Sequence, residues 1–316
     1  MSNYIARRIL WLIPVMFFIS LVTFVLMHNV EGGPWDSERK LPDHVIENLN
    51  RKYGLDKPLW RQYVDFVANA LQGDLGISFQ RQDKPVTDIL LGGLKVTGML
   101  GLMALGMASV VGISLGIMAA LNKNGPIDYL SVLLATIGSS IPSFVLGIFL
   151  IYFLSVEWHI LPTYGWNLRN GFIPGWVPPL KQAVMPVICL AALPTAFLAR
   201  VTRASMLEVL RQDYVRTARA KGLPSLTVLY RHSFRNALIP ILTILGPIAV
   251  NLVTGAFIVE QLFSIPGNGR LFIQSINGRD YGLIMGTTLF YAFFIAIANL
   301  AVDITYALVD PRIRYR

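Results

Sequence analysis

Residues 203–225 read RASMLEVLRQDYVRTARAKGLPS, a basic stretch set between two apolar runs, 180–202 and 238–260. From Arg203 to Lys221 it contains no Gly or Pro and is full of good helix formers. Leu207, Leu210, Tyr214 and Ala218 recur at three- and four-residue spacing and predict a single apolar stripe, with the arginines mostly off it. Gly222 suits the left-handed conformation that ends a helix, and Pro224 blocks continuation. Ser225 is then placed to cap a second helix, LTVLYRHSFRNALIP, leading into the next apolar run. The expected product is two helices around a tight Gly-Leu-Pro-Ser turn, tethered at both ends.

The flanking runs belong to a set. The chain is 316 residues long, 54% hydrophobic and only 14% charged. Apolar runs recur at roughly 9–29, 96–121, 129–156, 180–202, 238–260 and 282–308. At about 1.5 Å rise per residue, each can cross a hydrocarbon core of about 30 Å. The fold class is therefore an all-α membrane protein with six transmembrane helices. The first run follows Arg7-Arg8, but it is too long for a signal peptide and LMHNVEGGP offers no small-x-small cleavage site. It reads as a retained anchor.

Placement of Lys and Arg orients the spans. With the N-terminus in the cytoplasm, the short inner segments hold fourteen, eight of them between Arg200 and Arg235. The short outer loops then hold four: Arg169, Lys181, Arg270 and Arg279. Both termini are expected to be cytoplasmic, and the net charge of +9 follows from this topology without nucleic acid. The organisation divides into 1–29, an N-terminus and first span; 30–95, an extracytoplasmic helical segment; and 96–316, a five-helix core carrying an inward loop at 203–237. Within 30–94, PDHVIENLNRKYG predicts a helix capped by Asp43 and stopped by Gly54. LDKPLWRQYVDFVANALQG predicts another, with Leu59, Tyr63, Phe66 and Ala70 on one face and Gly73 at its end. The outer loop EWHILPTYGWNLRNGFIPGWVPPLK carries three Trp and suits the headgroup level.

Catalytic and metal chemistry is not written into the chain. There is no G-x-x-x-x-G-K-[ST], and GNGR at 267–270 lacks both the lysine and the strand–helix setting. His28, His44, His159 and His232 stand alone, without a second ligand at metal spacing. Ser139 and Ser140 invite an intramembrane protease reading, but no histidine is expected at their depth to act as base. The lone Cys189 excludes an internal disulfide and reads as a packing residue. Asp303 sits inside the last run, where a charge at mid-bilayer costs about 2.5–3.5 kcal/mol on insertion scales. A bond to a neighbouring helix or to inner-surface arginines explains it better than an ion relay. Glu260, at the outer end of the fifth run, is expected to be solvated, and Asn251 and Thr254 are polar candidates for a pathway through the spans.

Three roles compete for the basic segment. A helix lying on anionic lipid explains the arginines, worth about 1 kcal/mol each near the surface, but not the sharp turn. A DNA-reading helix-turn-helix strung between two spans is a poor reader of DNA. A docking element for a soluble partner, whose movement tilts the attached spans, accounts for helix, turn and tether together. Prolines 14, 142, 186, 194, 240 and 247 make kinked helices suited to such movement.

The motifs also resemble a known family. DYVRTARAKGL followed by RHSFRNALIPIL is similar to the cytoplasmic loop of permease subunits in binding-protein-dependent ATP-binding-cassette importers, in the dipeptide/oligopeptide/nickel branch. YIARRILWLIPVMFFISLVTF, YGLDKPLWRQYVDFVANALQGDLGISF, FSIPGNGRLFIQSINGRDYGLIMG and YALVDPRIRYR resemble the same family in the same order. The resemblance implies a type I importer permease fold in a bacterial or archaeal cell membrane. It implies a second homologous permease subunit, two ATPase subunits that hold ATP and Mg, and an extracytoplasmic solute-binding protein; this chain would be no enzyme and bind no cofactor. Asp213, Tyr214, Arg216, Thr217, Ala218, Lys221, Gly222 and Leu223 would form the loop that enters the ATPase. The wider superfamily has Glu-Ala-Ala where Arg216, Thr217 and Ala218 stand here, a departure that fits the peptide branch. Peptides are the implied substrate; nickel complexes, glutathione-like compounds and oligosaccharides are alternatives, as is a stand-alone ion-coupled transporter using Asp303.

Overall fold

The structure is a computed structural model that describes residues 2–30, 32–35, 42–81, 84–170, 178–254 and 256–309. Residues 171–177 of the Trp-rich outer loop and the tail at 310–316 lie outside the described residues. The described residues form α1 (Ser2–Asn29), α2 (Asp43–Tyr53), α3 (Leu59–Ala70), α4 (Val86–Leu121), α5 (Pro126–Ser140), α6 (Ser143–Leu150), α7 (Leu180–Val209), α8 (Asp213–Ala220), α9 (Ser225–Thr227), α10 (Arg235–Thr254), α11 (Phe257–Leu262), α12 (Asn268–Asn277) and α13 (Tyr281–Val309). Wider π-helical turns follow α6 at Ile151–Glu157 and join α9 to α10 at Val228–Phe234. Among the described residues five helical stretches are long and apolar enough to cross a membrane: Leu10–Asn29, Val86–Leu121, Leu180–Val209, Ser225–Leu262 and Tyr281–Ile304.

The third expected run is present but not straight. Pro126–Ser140 and Ser143–Glu157 meet at an angle of 102°. Pro142 lacks an N–H and crowds the residue before it, and Ile141 is accordingly extended at φ −90, ψ 121. The run at 129–156 is a sharply bent pair of helices instead of a continuous one.

Chain contacts group into two compact units, residues 1–96 with 266–316 and residues 97–265. In the first unit α1 packs on α13, with Phe24, Met27 and Met285 buried together and Tyr63 and Phe66 of α3 laid against them. Arg8 of α1 pairs with Asp303 of α13 at 2.8 Å. The start of α1 and the far end of α13 therefore lie side by side, and Asp303 makes the helix-to-helix bond expected of it. Gly54 ends α2 in the left-handed region at φ 68, as its position predicts. The cap differs: Pro42 occupies that position and Asp43 is the first helical residue, where its charge favours the N-terminus.

Asp280 ties the segment before α4 to the start of α13. Its carboxylate is buried and accepts from Ser78 Oγ, from the Phe79 and Gln80 N–H groups at 3.0 and 3.3 Å, and from the Leu283 N–H at 3.1 Å. Two positions in α13 need glycine for this approach. A Cβ on Gly282 would lie 2.2 Å from the Ile77 carbonyl oxygen, and one on Gly286 2.4 Å from Val86 Cγ1.

In the second unit α5, α6 and α10 pack on α7. The core is built of small and aliphatic side chains: Ala104, Ala108, Ala191, Leu198, Ile241 and Leu252. Gly112 and Gly116 of α4 let the α7 backbone approach; a Cβ on either would come within 2.8 Å of Leu198 Cβ or 2.5 Å of Thr202 Cβ. Glu260 overturns its expectation. It is fully buried in α11, and Thr97 Oγ1 donates to its carboxylate at 2.7 Å. A buried charge needs such a donor, whereas a solvated one does not.

Candidate functional site

The basic segment forms two helical arms, but not the two predicted. No single helix runs from Arg203 to Lys221. The end of α7 carries Arg203–Val209, the chain turns at Leu210–Gln212, and α8 begins at Asp213 with Gln212 extended at φ −70, ψ 146. Nothing in Leu210-Arg211-Gln212 forbids helix; the break accompanies packing. The turn folds α8 back so that Val215 and Ala218 bury against Val228, with Val209 alongside. The predicted stripe is correspondingly split. Leu207 and Leu210 join Met206, Ala120 and Ala237 at the ends of α7, α4 and α10, while Tyr214 faces outward.

Gly222 closes α8 in the left-handed region at φ 73. Its N–H donates to the Arg219 carbonyl at 2.9 Å and the Leu223 N–H to the Ala218 carbonyl at 3.4 Å, satisfying the carbonyls at the helix end. A Cβ on Gly222 would meet nothing within 4 Å, so glycine is required by the backbone and not by space. Pro224, not Ser225, stands at the cap of the next helix, and Ser225 is its first residue. From there α9, the π-helical turn and α10 run on as one helical stretch, so that the turn is attached directly to a spanning helix.

Of the eight residues expected in this loop, only Ala218 is buried. Asp213, Tyr214, Arg216, Thr217, Lys221, Gly222 and Leu223 are exposed around it. Thr217 Oγ1 donates to the Asp213 carbonyl at 3.0 Å and stays within α8. Arg216 lies 3.7 Å from Asp213, an exposed pair of little energetic weight. The Tyr214 hydroxyl accepts from Asn236 Nδ2 at 2.9 Å, bracing α8 against α10. The outcome is a small knob, basic and partly apolar outside, standing on a foot of three buried side chains.

A second feature supports the same end of the unit and was not apparent in the sequence. Asp128, in the first turn of α5, is buried and receives both arms of the Arg203 guanidinium at 2.6 and 2.7 Å, with the Asn124 N–H at 2.9 Å. Such a two-pronged pair fixes orientation as well as distance. It clamps α5 to α7 just before the knob. Pro126-Ile-Asp128 signals a helix start, but nothing local in the sequence indicates Arg203 as partner, 75 residues on. Ser139 accepts from Arg200 Nη1 at 3.1 Å and donates to the Thr136 carbonyl at 3.1 Å, a helix-to-helix contact with no histidine in it. The Thr254 hydroxyl turns back on the Val250 carbonyl at 2.7 Å, while Asn251 is exposed.

Residues 112–315 match the family described as binding-protein-dependent transport system inner membrane component, and residues 1–98 match its N-terminal counterpart. The chain is 40% identical over 314 residues to the dipeptide transport system permease protein DppB of Bacillus subtilis, covering 99% of this chain and 98% of that one. It is 37% identical over 315 residues to the oligopeptide transport system permease protein OppB of Escherichia coli K12, covering the whole of both. Among solved structures, an inward-facing MetNI methionine ABC transporter chain is similar at a TM-score of 0.58 and 17% identity, over 72% of this chain and 99% of that one. An amino acid ABC transporter chain is similar at 0.53 and 17%, over 70% and 94%. At this identity the two structures speak for the fold alone.

Proposed function

The chain belongs to the family of inner-membrane components of binding-protein-dependent transport systems, and from that premise we propose that it forms half of the pathway of an ATP-driven peptide importer. Full-length identity to dipeptide and oligopeptide permeases favours peptides over the other substrates of the branch. ATP and Mg belong to two partner ATPases. A second homologous permease completes the pathway, and an extracytoplasmic binding protein delivers the peptide to residues 30–94 and 261–281. The side-by-side placement of Arg8 and Asp303 agrees with both termini being cytoplasmic, as the distribution of Lys and Arg requires. The same pair gives Asp303 a structural role and leaves an ion relay without a motivating observation.

One observation carries the mechanism: the knob of α8 and Gly222 is exposed, yet its foot joins the ends of α7 and α10. A partner that grips residues 213–223 can therefore pull two spanning helices at once. Both helices carry interior prolines, Pro186 and Pro194 in α7, Pro240 and Pro247 in α10, where a missing backbone hydrogen bond lowers the cost of bending. ATP-driven closure of the ATPases would then alternate access to the pathway. The test is copurification. Gly222→Val places a β-branched residue in the left-handed region at about 1–2 kcal/mol, and Arg216→Glu reverses an exposed charge. Both are expected to reduce ATPase copurification and ATP-driven peptide uptake while the chain still inserts. Unchanged copurification and uptake in both variants would sink the docking role.

A further inference from the structure

The helix α3 falls in the segment read as extramembrane, yet its contacts lie well inside the first span. The Tyr63 hydroxyl is 2.9 Å from Ser20 Oγ and donates to the Phe17 carbonyl at 3.3 Å. The Tyr63 ring meets those of Phe17 and Phe24, with centroids 6.1 and 5.4 Å apart. Within α1 the apolar stretch Leu10–Asn29 holds 20 residues, about the length that a crossing of about 30 Å needs. Ser20 lies nine residues from its end at Asn29, about 14 Å along the axis at 1.5 Å per residue. An element bonded to that depth cannot stand wholly in water.

The sequence of α3 is built for two apolar contacts and one polar one. Tyr63 and Phe66 pack on α1 and α13. Trp60, Val64 and Leu71, with half-buried Val67, form a second apolar strip beside the first, so that apolar residues cover roughly 160° of the helix. Trp60 is 65% exposed, Val64 50% and Leu71 85%. Arg61, Gln62, Asp65 and Asn69 occupy the remaining arc, where Lys57 and Arg61 pair with Asp65 at 2.8 and 3.2 Å. Phe17, which touches Tyr63, is itself 53% exposed, and Phe18 and Leu26 of the same helix are exposed too. Tyr63, one turn from Val67 and Trp60 of the strip, meets exposed Phe17 of α1, so the open strip of α3 adjoins an exposed apolar side chain of that helix.

We propose that α3 is a membrane-embedded amphipathic helix whose Trp60–Val64–Val67–Leu71 strip lies against acyl chains of the leaflet at the Asn29 end of the first span. The polar arc then faces water, and the Tyr63 hydroxyl finds its partners on α1 because the hydrocarbon offers none. A protein partner would have to cover a strip that adjoins a span, which the contact with Phe17 disfavours. This inference rests on the membrane-spanning reading of α1 and not on the substrate.

The test uses the assembled importer in bilayers of phosphatidylethanolamine and phosphatidylglycerol, with Cys189 replaced by alanine. Single spin labels go at Trp60→Cys, Val64→Cys and Leu71→Cys on the strip and at Arg61→Cys and Asn69→Cys on the polar arc. Phe18→Cys on α1 serves as the internal standard for lipid. We expect collisions with oxygen to exceed those with a water-soluble nickel chelate at 60, 64 and 71, as at 18, and the ratio to invert at 61 and 69. Equal water access at all five α3 positions, with position 18 still in lipid, would overturn the proposal and leave the spans intact. Shielding of 60, 64 and 71 from both reagents would also overturn it, assigning the strip to the binding protein or the second permease. Water access at position 18 itself would instead reject the spanning reading.

Discussion

Two attachments in this molecule are built in opposite ways. Around Asp280 one buried carboxylate collects a hydroxyl and three backbone N–H groups, and Gly282 and Gly286 bring backbone into contact. Around α8 no charge is buried; three small apolar side chains and one tyrosine–asparagine bond hold a helix of eight residues. The first arrangement fails as a whole if any part leaves, because stranded donors cost more than the bond returned. The second can yield and reform, since little is desolvated and nothing is stranded. The docking role proposed for α8 suits the second kind.

The largest expected effect comes from breaking the rigid attachment. Asp280→Ala strands four donors, and hydrogen bonds to a charged group are worth about 1.5–3 kcal/mol each. We expect severe loss of folded protein in the membrane, measured as yield and melting temperature, with partial rescue by Asp280→Asn. Equal stability of alanine variant and wild type would remove the contrast. Next is Arg203→Leu, which leaves Asp128 buried without its partner at about 3–5 kcal/mol. Arg203→Lys should recover only part, because an ammonium cannot donate through two fixed arms; a full recovery would reduce the clamp to a generic charge effect.

Smaller changes probe the yielding attachment. Val215→Ala removes two buried methyl groups from the foot of α8, about 2 kcal/mol by area and cavity terms. The expected sign is local: faster proteolysis of 213–224 with an unchanged melting temperature for the rest of the chain. A global shift in melting would mean that α8 is part of the core. The smallest effect is Asp65→Asn. The Lys57 hydrogen bond, helped by the charges of Lys57 and Arg61, holds the Asp65 carboxyl below its ordinary range. That contribution is present above the unfolded value and is lost as pH falls through the depressed folded one. Wild type and variant should therefore melt alike in strong acid and separate slightly toward neutral pH; a difference confined to acid would contradict the pairing.

Much of this was legible because it is local. Hydropathy marks every span, Gly54 and Gly222 mark helix ends, and Gly222-Leu-Pro marks the turn that isolates α8. What was not legible depends on distant partners. Leu210-Arg211-Gln212 contains no breaker, and the turn there accompanies the burial of Val215 and Ala218 on Val228. Glu260 reads as a solvated helix end until Thr97, 163 residues away, is brought to it. Pro142 announces a disturbance in the third run but not a bend of 102°. Asp128 and Asp280 look like ordinary carboxylates near helix starts, because the arginine and the amides they gather come from elsewhere in the chain.

On the proposed reading an ATPase grips the knob at 213–223. The most direct measurement is photocrosslinking in native membranes from a benzoylphenylalanine introduced at Leu223, with the same group at exposed Leu133 on α5 as a control. A crosslink from position 223 to an ATPase subunit, strengthened when ATP hydrolysis is arrested and absent from 133, is the expected result. Crosslinks from 223 only to lipid or within this chain would contradict it.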